Sequence, residues 1–443
     1  MPRTLKENKM TTAFDNRRGL LKAGAATAAV AAAGGLAGCA TTDSAAPAKK
    51  IGRVIVIGGG YGGATAAKYI NQWSNGAIEV YLIDRERNFV SCPISNLVLG
   101  GTQSMETITH SYAKLREKGI IVLNDEVTAI DPAKKKISLK KIADLTYDRL
   151  VVSPGIDFNF NAIQGLNDEA QKTILHSWKA GPQTVALKAQ LDAVPNGGVY
   201  VLSIPKAPYR CPPGPYERAC QVAHLFKAKG NTKSKVIIMD ANPDIQSKKG
   251  LFMKAWADLY PGMIEYNPNM VVNELDIKGK RLVTETGDKV RGDVLNVVPP
   301  HRAGDIAQAA GLVNVNNLWC GVDWVTMEST AHKNIHVLGD ATFSAPGMPK
   351  SGHMANQHGK ACAAAIVELM NGRAPIAPMM ANTCYSFVDD KNVVHVASVH
   401  AYDPQDKTMK TVPGSGGVSS GPTELEGRYA LGWARNIWSD MLT

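Results

Sequence analysis

Residues 53–63 read Arg-Val-Ile-Val-Ile-Gly-Gly-Gly-Tyr-Gly-Gly and are the most informative part of the sequence for the fold. Its first five residues are an apolar, mostly β-branched run, which is typical of a buried strand in a parallel sheet. A glycine-rich turn follows at once, with Gly58, Gly60 and Gly63 spaced as G-x-G-x-x-G. A turn of this kind after a strand predicts that the chain continues into a helix.

The residues after the turn complete a strand–turn–helix–strand unit. Ala66, Ile70 and Trp73 recur at helical spacing, which is typical of a helix after the turn. A second apolar run over residues 78–83 ends in Asp84, 21 residues after the last glycine of the turn. Together these features form the Rossmann fingerprint of a dinucleotide-binding unit.

Each position of this fingerprint has a physical role. Gly58 permits the tight turn, Gly60 lets the backbone approach a pyrophosphate, and Gly63 lets helix and strand pack closely. The helix N-terminus adds a partial positive charge that attracts the phosphates. We expect Asp84 to accept hydrogen bonds from the ribose hydroxyls.

A motif near the other end of the chain favours FAD over NAD as the dinucleotide. Residues 334–341 read as a strand that contains Gly339-Asp340. In flavoproteins with two dinucleotide domains, such a Gly-Asp pair holds the ribityl chain of FAD. Residues 147–155 predict the strand and turn, ending at Gly155, that return to the FAD domain. A helix cap is the alternative role for Asp340.

An apolar helix pattern follows residues 348–353 and runs through Ala364 and Met370. We expect Ser351 at its N-terminus, facing the pyrimidine end of the flavin. There the partial positive charge of the helix would stabilise an anionic reduced flavin.

A second Rossmann-like unit begins with the strand predicted over residues 198–204. The proline-rich residues 205–215 stand where a glycine turn is expected. Prolines lack an N–H and fix φ, so this loop cannot wrap a pyrophosphate. A helix and a strand (residues 235–239) then continue the unit. We therefore predict a domain that has lost its nicotinamide site and receives no electrons from a pyridine nucleotide.

A chain of 443 residues is too long for one hydrophobic core. The motifs predict an α/β fold with two Rossmann-like domains, in the manner of glutathione reductase, plus a C-terminal segment. The predicted division is a signal peptide (1–48), the first part of the FAD domain (49–165), the second Rossmann-like domain (166–292), the second part of the FAD domain (293–375) and the C-terminal segment (376–443).

The net charge of +10 comes from scattered basic residues. Nucleic-acid-binding proteins concentrate such residues on one face or tail, so we expect no nucleic-acid partner. Weak attraction for anions or for an acidic partner remains compatible with this charge.

The N-terminus has the pattern of an export signal. Residues 16–22 read Asn-Arg-Arg-Gly-Leu-Leu-Lys and precede an Ala/Gly-rich stretch. This predicts the twin-arginine route to the periplasm. Residues 46–48 favour cleavage there, whereas residues 36–39 allow a lipid anchor on Cys39 instead. No later stretch has the ~18 apolar residues of a spanning helix, so we expect no transmembrane segment in the mature chain.

The seven cysteines include no C-x-x-C and no spacing typical of a metal site, so we expect no metal. Cys220, Cys320 and Cys362 fall in apolar patterns and are predicted to be buried thiols. The remaining positions outside the signal are Cys92, Cys211 and Cys384, and their spacing leaves inert and functional roles equally open.

Four short motifs resemble the flavoprotein subunit of flavocytochrome c sulfide dehydrogenase, and the resemblance extends over essentially the whole chain. They are residues 91–96 (Ser-Cys-Pro-Ile-Ser-Asn), 210–218 (Arg-Cys-Pro-Pro-Gly-Pro-Tyr-Glu-Arg), 348–352 (Met-Pro-Lys-Ser-Gly) and 382–386 (Asn-Thr-Cys-Tyr-Ser).

The resemblance implies a role for each of the three open cysteines. It implies a thioether from Cys92 to the flavin, and a redox disulfide between Cys211 and Cys384. It also implies that Glu217 serves as an acid or base, with an exposed helix cap as the alternative. The family's partner is a c-type cytochrome, which implies that residues 376–443 form an interface with it.

The function implied is oxidation of sulfide to sulfur or polysulfide, with electrons passing to the cytochrome. Two alternatives remain open. One is a sulfide:quinone oxidoreductase, which would need a membrane contact such as the C-terminal face formed by Tyr429, Trp433, Ile437 and Met441. The other is a non-catalytic flavoprotein that activates a sulfur-oxidising complex.

Overall fold

The computed structural model describes residues 50–443. The predicted signal, with its cleavage site at residues 46–48 and its alternative anchor at Cys39, lies outside the described residues. The described chain has two parallel sheets, each built from strands that alternate with helices. This confirms the predicted α/β class.

The first part of the chain builds most of the first sheet. Its elements are β1 (Gly52–Ile57), α1 (Tyr61–Trp73), β2 (Ile78–Asp84), β3 (Asn88–Val90), α2 (Ser95–Gly100), β4 (Thr109–Ser111), α3 (Ala113–Glu117), β5 (Ile121–Asn124), β6 (Val127–Asp131), β7 (Lys136–Leu139), β8 (Leu145–Thr146), β9 (Arg149–Val152) and β10 (Ile156–Phe158).

Strand β1 lies at the centre of this sheet because its side chains are apolar on both faces. Val54, Ile55 and Val56 are fully buried, and β1 pairs in parallel with β2 and β9. Helix α1 begins directly after Gly60 and ends at Trp73. Trp73 is the last residue of α1, with 42% of it exposed and its ring 4.6 Å from the Tyr69 ring.

The middle of the chain builds the second sheet. Its elements are α4 (Pro182–Asp192), β11 (Val199–Ile204), α5 (Gly214–Ala228), β12 (Lys235–Asp240), α6 (Lys249–Leu259), β13 (Ile264–Asn267), β14 (Val272–Asp276), β15 (Arg281–Thr284), β16 (Lys289–Arg291) and β17 (Val294–Val297). The strand order is β13-β12-β11-β17, so this sheet extends to Val297.

The chain then returns to the first sheet. The elements are β18 (His301–Ala303), α7 (Asp305–Ala309), β19 (Val313–Val315), β20 (Trp319–Cys320), β21 (Ile335–Val337) and α8 (Gly352–Met370). Strand β21 pairs with β9 and completes the order β21-β9-β1-β2-β5. Helix α8 packs closely on α1 at Gly359. A Cβ at this position would lie only 2.5 Å from the Gly62 carbonyl oxygen, so the contact requires glycine.

The C-terminal segment adds an antiparallel sheet and a long helix. It contains β22 (Met379–Phe387), β23 (Val393–Asp403), β24 (Thr408–Thr411), β25 (Gly417–Val418) and α9 (Glu424–Leu442). The predicted apolar face of α9 is split: Ile437 and Met441 are buried, whereas 56% of Tyr429 is exposed. Within residues 50–443, no helix is long and apolar enough to cross a bilayer.

Candidate active site

A cavity of about 1030 Å³ lies where the strands of the first sheet end. Parallel sheets bind ligands at this edge, since the turns after the strands meet there. The predicted site residues that line the cavity are Gly58, Gly60, Asp84, Cys92, Gly155, Cys211, Glu217, Gly339, Asp340, Ser351 and Cys384.

The glycine turn has the geometry that its sequence predicts. Gly58 has φ +94°, and a Cβ there would lie 2.3 Å from the Ser153 carbonyl oxygen. Gly63 lies behind the turn, where a Cβ would lie 1.8 Å from the Gly58 carbonyl oxygen. Gly60 faces open space, with no heavy atom within 4 Å of a Cβ. The backbone before α1 is therefore accessible to a phosphate group.

Asp84 ends β2 beside this turn. Its Oδ2 accepts a hydrogen bond from the Gly59 N–H at 2.5 Å, and its Oδ1 accepts one from the Glu86 N–H at 2.7 Å. Burial raises the pKa of its carboxyl, and these two backbone donors oppose that shift. The carboxylate thus fixes the glycine turn and also borders the cavity, where its remaining lone pairs can accept hydroxyls.

Asp340 borders the cavity at the end of the returning strand β21. Gly339 before it has φ +67°, and the Asp340 Oδ1 is buried with no hydrogen-bond partner among the described residues. Burial raises the pKa of Asp340, while Arg210 and Lys350 oppose this shift. An unpartnered buried oxygen at this point is the acceptor that ribityl hydroxyls require.

Ser351 caps α8, because its Oγ accepts a hydrogen bond from the Met354 N–H at 3.0 Å. The same hydroxyl donates to the Asn382 Oδ1 at 2.6 Å. Ser351 therefore joins the helix N-terminus to the strand that carries Cys384, in addition to lining the cavity.

Cys92 lies in the turn between β3 and α2. Its sulfur accepts hydrogen bonds from the Arg210 guanidinium at 3.5 Å and from the Ala180 N–H at 3.4 Å. The same guanidinium donates to the Trp178 carbonyl oxygen. The Cys92 S–H also donates to the Trp178 carbonyl oxygen at 3.9 Å, so three contacts hold this sulfur in the cavity wall.

Cys211 follows Arg210 in the proline-rich loop and has φ +59°, a conformation that few non-glycine residues adopt. Its N–H donates to the Lys350 carbonyl oxygen at 2.8 Å, and its carbonyl oxygen accepts from the Gly214 N–H at 2.8 Å. Burial is the main cause that raises the pKa of the Cys211 thiol, and the nearby Cys384 sulfur raises it further.

Cys384 lies in β22, and both cysteines are free thiols in this structure. The Asn382 amide donates to the Cys384 sulfur at 3.4 Å. Burial raises the pKa of the Cys384 thiol, and this is opposed by Asn382 and by the cation of Lys248. Two cysteines that are 173 positions apart in sequence thus border the same end of the cavity.

Glu217 lies in the first turn of α5. It does not cap its own helix: its Oε1 accepts from the Phe387 N–H at 2.9 Å and its Oε2 from the Asn96 amide at 2.8 Å. Burial raises the pKa of its carboxyl, which is half-buried against the cavity. Glu217 therefore connects α5 to α2, which follows Cys92, and to β22, which carries Cys384.

Sequence reasoning missed two cations of this site. Arg210 is part of a quoted motif, but its contact with the Cys92 sulfur joins residues 118 positions apart. Lys248 has no motif around it, and it approaches Cys384 only through tertiary packing. In the described part of the chain, His, Cys, Asp and Glu form no cluster that could hold a metal ion.

Three protein families match parts of the chain. Residues 52–187 match the family described as Pyridine nucleotide-disulphide oxidoreductase. Residues 184–299 match Sulfide dehydrogenase (flavocytochrome c) flavoprotein chain, central. Residues 376–442 match Flavocytochrome c sulphide dehydrogenase, flavin-binding.

Two sulfide:quinone oxidoreductases are similar to this chain over most of its length. The mitochondrial sulfide:quinone oxidoreductase of Dictyostelium discoideum is 24% identical over 306 residues, which are 66% of this chain and 66% of that protein. The solved sulfide:quinone oxidoreductase of Aquifex aeolicus superposes with a TM-score of 0.72 at 19% identity, covering 88% of this chain and 91% of that one, which confirms the predicted fold.

A short relative carries the name of the family itself. The sulfide dehydrogenase (flavocytochrome c) flavoprotein chain of Chlorobaculum thiosulfatiphilum is 48% identical over 46 residues, which are 10% of this chain and 94% of that sequence. Together with the two family matches of the same name, it shows that this chain belongs to the flavoprotein-chain family of flavocytochrome c sulfide dehydrogenase, a family of sulfide-oxidising flavoproteins.

Proposed function

We propose that this chain oxidises sulfide at a redox disulfide between Cys211 and Cys384, with FAD in the large cavity and a c-type cytochrome as the electron acceptor. One observation carries the proposal: both cysteines border the same cavity as the glycine turn and Asp340. The dinucleotide motifs and the sulfur chemistry therefore meet at one site.

The first step is thiolate–disulfide exchange with sulfide as the nucleophile. The sulfur of hydrosulfide bonds to one cysteine sulfur, the S–S bond breaks, and its electron pair leaves on the other cysteine as a thiolate. Bound FAD would supply a two-electron acceptor beside that thiolate. Burial raises the pKa of Glu217, while the Phe387 N–H and the Asn96 amide oppose that shift, and we assign this carboxyl the acid or base role near the sulfurs.

Cys92 is proposed to hold the flavin through a thioether, since its sulfur lies in the cavity wall beside Arg210. Acid denaturation followed by electrophoresis tests this attachment. Flavin fluorescence that stays with the polypeptide supports the thioether, and fluorescence that separates from it rules the thioether out. A Cys92→Ser variant serves as the control, because its flavin should always separate.

The cytochrome is proposed to dock on the C-terminal segment. Several large apolar side chains of this segment are exposed to solvent, namely Ile376, Met379, Val418, Leu425 and Tyr429. Residues 49–443 hold 43 Lys and Arg against 36 Asp and Glu, and this net charge of +7 adds attraction for an acidic partner. The periplasm is the proposed site of action, and mass spectrometry of the exported protein would distinguish cleavage after residue 48 from lipid on Cys39.

A sulfide:quinone oxidoreductase is the second candidate. A second cavity of about 490 Å³ lies between α8 and α9, and its lining shares His353, Tyr385 and Trp433 with the large cavity. A pocket of this size can hold a small aromatic acceptor.

The deciding experiment supplies sulfide to the purified flavoprotein and offers it cytochrome c or a soluble quinone. Reduction of cytochrome c supports the proposed function, and reduction of quinone alone supports the second candidate. If neither is reduced and sulfide does not bleach the flavin, a non-catalytic role in a sulfur-oxidising complex replaces both.

A further inference from the structure

Lys248 is a buried cation that the step described above does not use. It directly precedes α6 in the second unit, and only 8% of it is exposed. Its side chain leaves that unit and reaches the C-terminal sheet behind Cys384.

The ammonium group of Lys248 has three acceptors for its three protons. It donates to the Cys384 carbonyl oxygen at 3.1 Å, the Ser386 Oγ at 2.7 Å and the Val394 carbonyl oxygen at 3.3 Å. The ring of Phe252 lies 5.6 Å away. Among the described residues, none of these acceptors is a carboxylate, so the charge has full hydrogen bonding but no ion-pair partner.

The ionisable groups that face this ammonium come from several elements. They are Cys384 of β22, Glu217 of α5, Cys211 of the proline-rich loop and Glu426 of α9. Glu426 already accepts hydrogen bonds from the Ser419 hydroxyl at 2.6 Å and lies 3.0 Å from the His395 Nδ1. Glu217 accepts hydrogen bonds from the Phe387 N–H and the Asn96 amide. The cysteine pair is the place where attack by sulfide creates a new anion, the leaving thiolate, beside Lys248.

Burial lowers the pKa of Lys248 to about 8, although the surrounding anions oppose this shift. In turn, the Lys248 cation lowers the pKa of Cys384 against the effect of burial. A buried charge without an ion-pair partner is costly, and an opposite charge that forms nearby offsets that cost.

We propose that Lys248 is a positioning residue whose ammonium stabilises the thiolate released when the Cys211–Cys384 disulfide opens. The inference rests on the proposed function, because it assigns a charge partner to that same pair. Lys248 neither transfers a proton nor exchanges electrons in this step. Hydrosulfide still forms the new S–S bond, and the leaving thiolate acquires its charge next to the ammonium.

The sign of the pH dependence follows from the ammonium being the active form. Below about pH 8 Lys248 is protonated and supports the thiolate. Above that pH the amine is neutral, so opening of the disulfide by sulfide should slow down. A Lys248→Arg variant keeps its charge at every accessible pH and should not slow down.

Alkylation of Cys384 tests the electrostatic effect without sulfide. The protein is reduced anaerobically, treated with iodoacetamide over a range of pH, and mapped by peptide mass spectrometry. In Lys248→Met we expect Cys384 to react about tenfold more slowly near neutral pH, which corresponds to a thiol pKa about one unit higher. Lys248→Arg should restore the wild-type rate below about pH 8, where the wild-type ammonium is also charged. The neighbouring Lys249, which is exposed and paired with Asp244, gives the matched control Lys249→Met.

Coincident alkylation profiles for Lys248→Met and the wild type would overturn the inference. Should Lys248→Met fail to fold, Lys248→Arg decides alone: the alkaline decline of sulfide-dependent flavin bleaching must disappear, and a decline that persists contradicts the inference. Failure of the proposed function looks different. In that case sulfide does not bleach the wild-type flavin at any pH, while the alkylation comparison still measures the effect of Lys248.

Discussion

The two parallel sheets of this chain are built from the same strand–loop–helix–strand order, but they differ at the loop after the first strand. In the first unit β1 leads through a glycine turn into α1, and β2 ends in Asp84. In the second unit β11 leads through a proline-rich loop into α5, and β12 ends in Asp240. The acidic residue therefore stands at the same place in both units.

The environments of these two carboxylates are opposite. Asp84 is held by backbone N–H groups and borders the large cavity. Asp240 is fully buried and accepts hydrogen bonds from Tyr216 at 2.7 Å, from Tyr266 at 3.1 Å and from the side chain of Asn242 at 2.7 Å. An acid that is surrounded by internal donors is not available to a ribose.

The difference shows that the frame and the ligand site are separable. Both sheets need apolar strands and close helix packing, and both have them. Only the loop at the strand end determines whether the unit presents backbone N–H groups or a cysteine in a left-handed conformation.

Replacing the cysteine of the proline-rich loop should abolish the sulfur chemistry but retain the fold. In Cys211→Ser we expect sulfide-dependent flavin reduction to fall by at least about two orders of magnitude, the scale of losing a nucleophilic step. Stopped-flow bleaching of the flavin measures it, and dithionite should still reduce the flavin directly.

The competing view is that the Cys211–Cys384 pair is a structural staple, which stabilises by roughly 2–5 kcal/mol and contributes little to chemistry. A Cys211→Ser protein that melts early yet oxidises sulfide at a near-normal rate in the cold would favour the staple. Cys362→Ala is the control, since Cys362 is a fully buried thiol on α8.

The sequence predicted much of this site because its motifs follow strand ends. The glycine turn, Asp84 and Asp340 each follow a strand of one parallel sheet, so their meeting at one edge was predictable. The contacts of Arg210 and Lys248 were not, because they join loops to distant segments without any periodic signal.

The second prediction concerns the glycine of the first turn. Gly60→Ala introduces a methyl group into open space, so we expect the protein to fold with unchanged stability. The methyl group occupies the approach of the pyrophosphate, so the Kd for FAD should rise about tenfold, the effect of losing roughly 1.4 kcal/mol of binding. Titration of the apoprotein with FAD in a Cys92→Ser background, together with the melting temperature, checks this.

A matched substitution elsewhere separates ligand loss from misfolding. Gly63→Ala places its methyl group 1.8 Å from the Gly58 carbonyl oxygen and should destabilise the apoprotein as well. If Gly60→Ala retains normal flavin, the cofactor does not approach this turn.

The third prediction exchanges the two carboxylates for amides. Asp84→Asn should lower flavin binding, and it should also destabilise the glycine turn because one of the two backbone N–H donors loses its acceptor. Asp240→Asn should leave the flavin in place but destabilise the fold by about 1–3 kcal/mol, because a buried hydrogen-bond donor loses its acceptor. Denaturant titration and flavin content measure the two effects. Equal flavin loss in both variants would contradict the separation of roles.

The smallest expected effect is the absence of any response to pyridine nucleotides. The proline-rich loop offers no N–H to a pyrophosphate at Pro205, Pro208 and Pro212. The carboxylate oxygens of Asp240 already accept hydrogen bonds from internal donors such as the Tyr216 hydroxyl. We therefore expect excess NADH or NADPH to leave the flavin oxidised under anaerobic conditions, while dithionite bleaches it and thus proves that it is reducible. Rapid bleaching by NADH would mean that the second unit binds its nucleotide by other contacts, and the contrast between the two turns would then no longer explain the choice of electron donor.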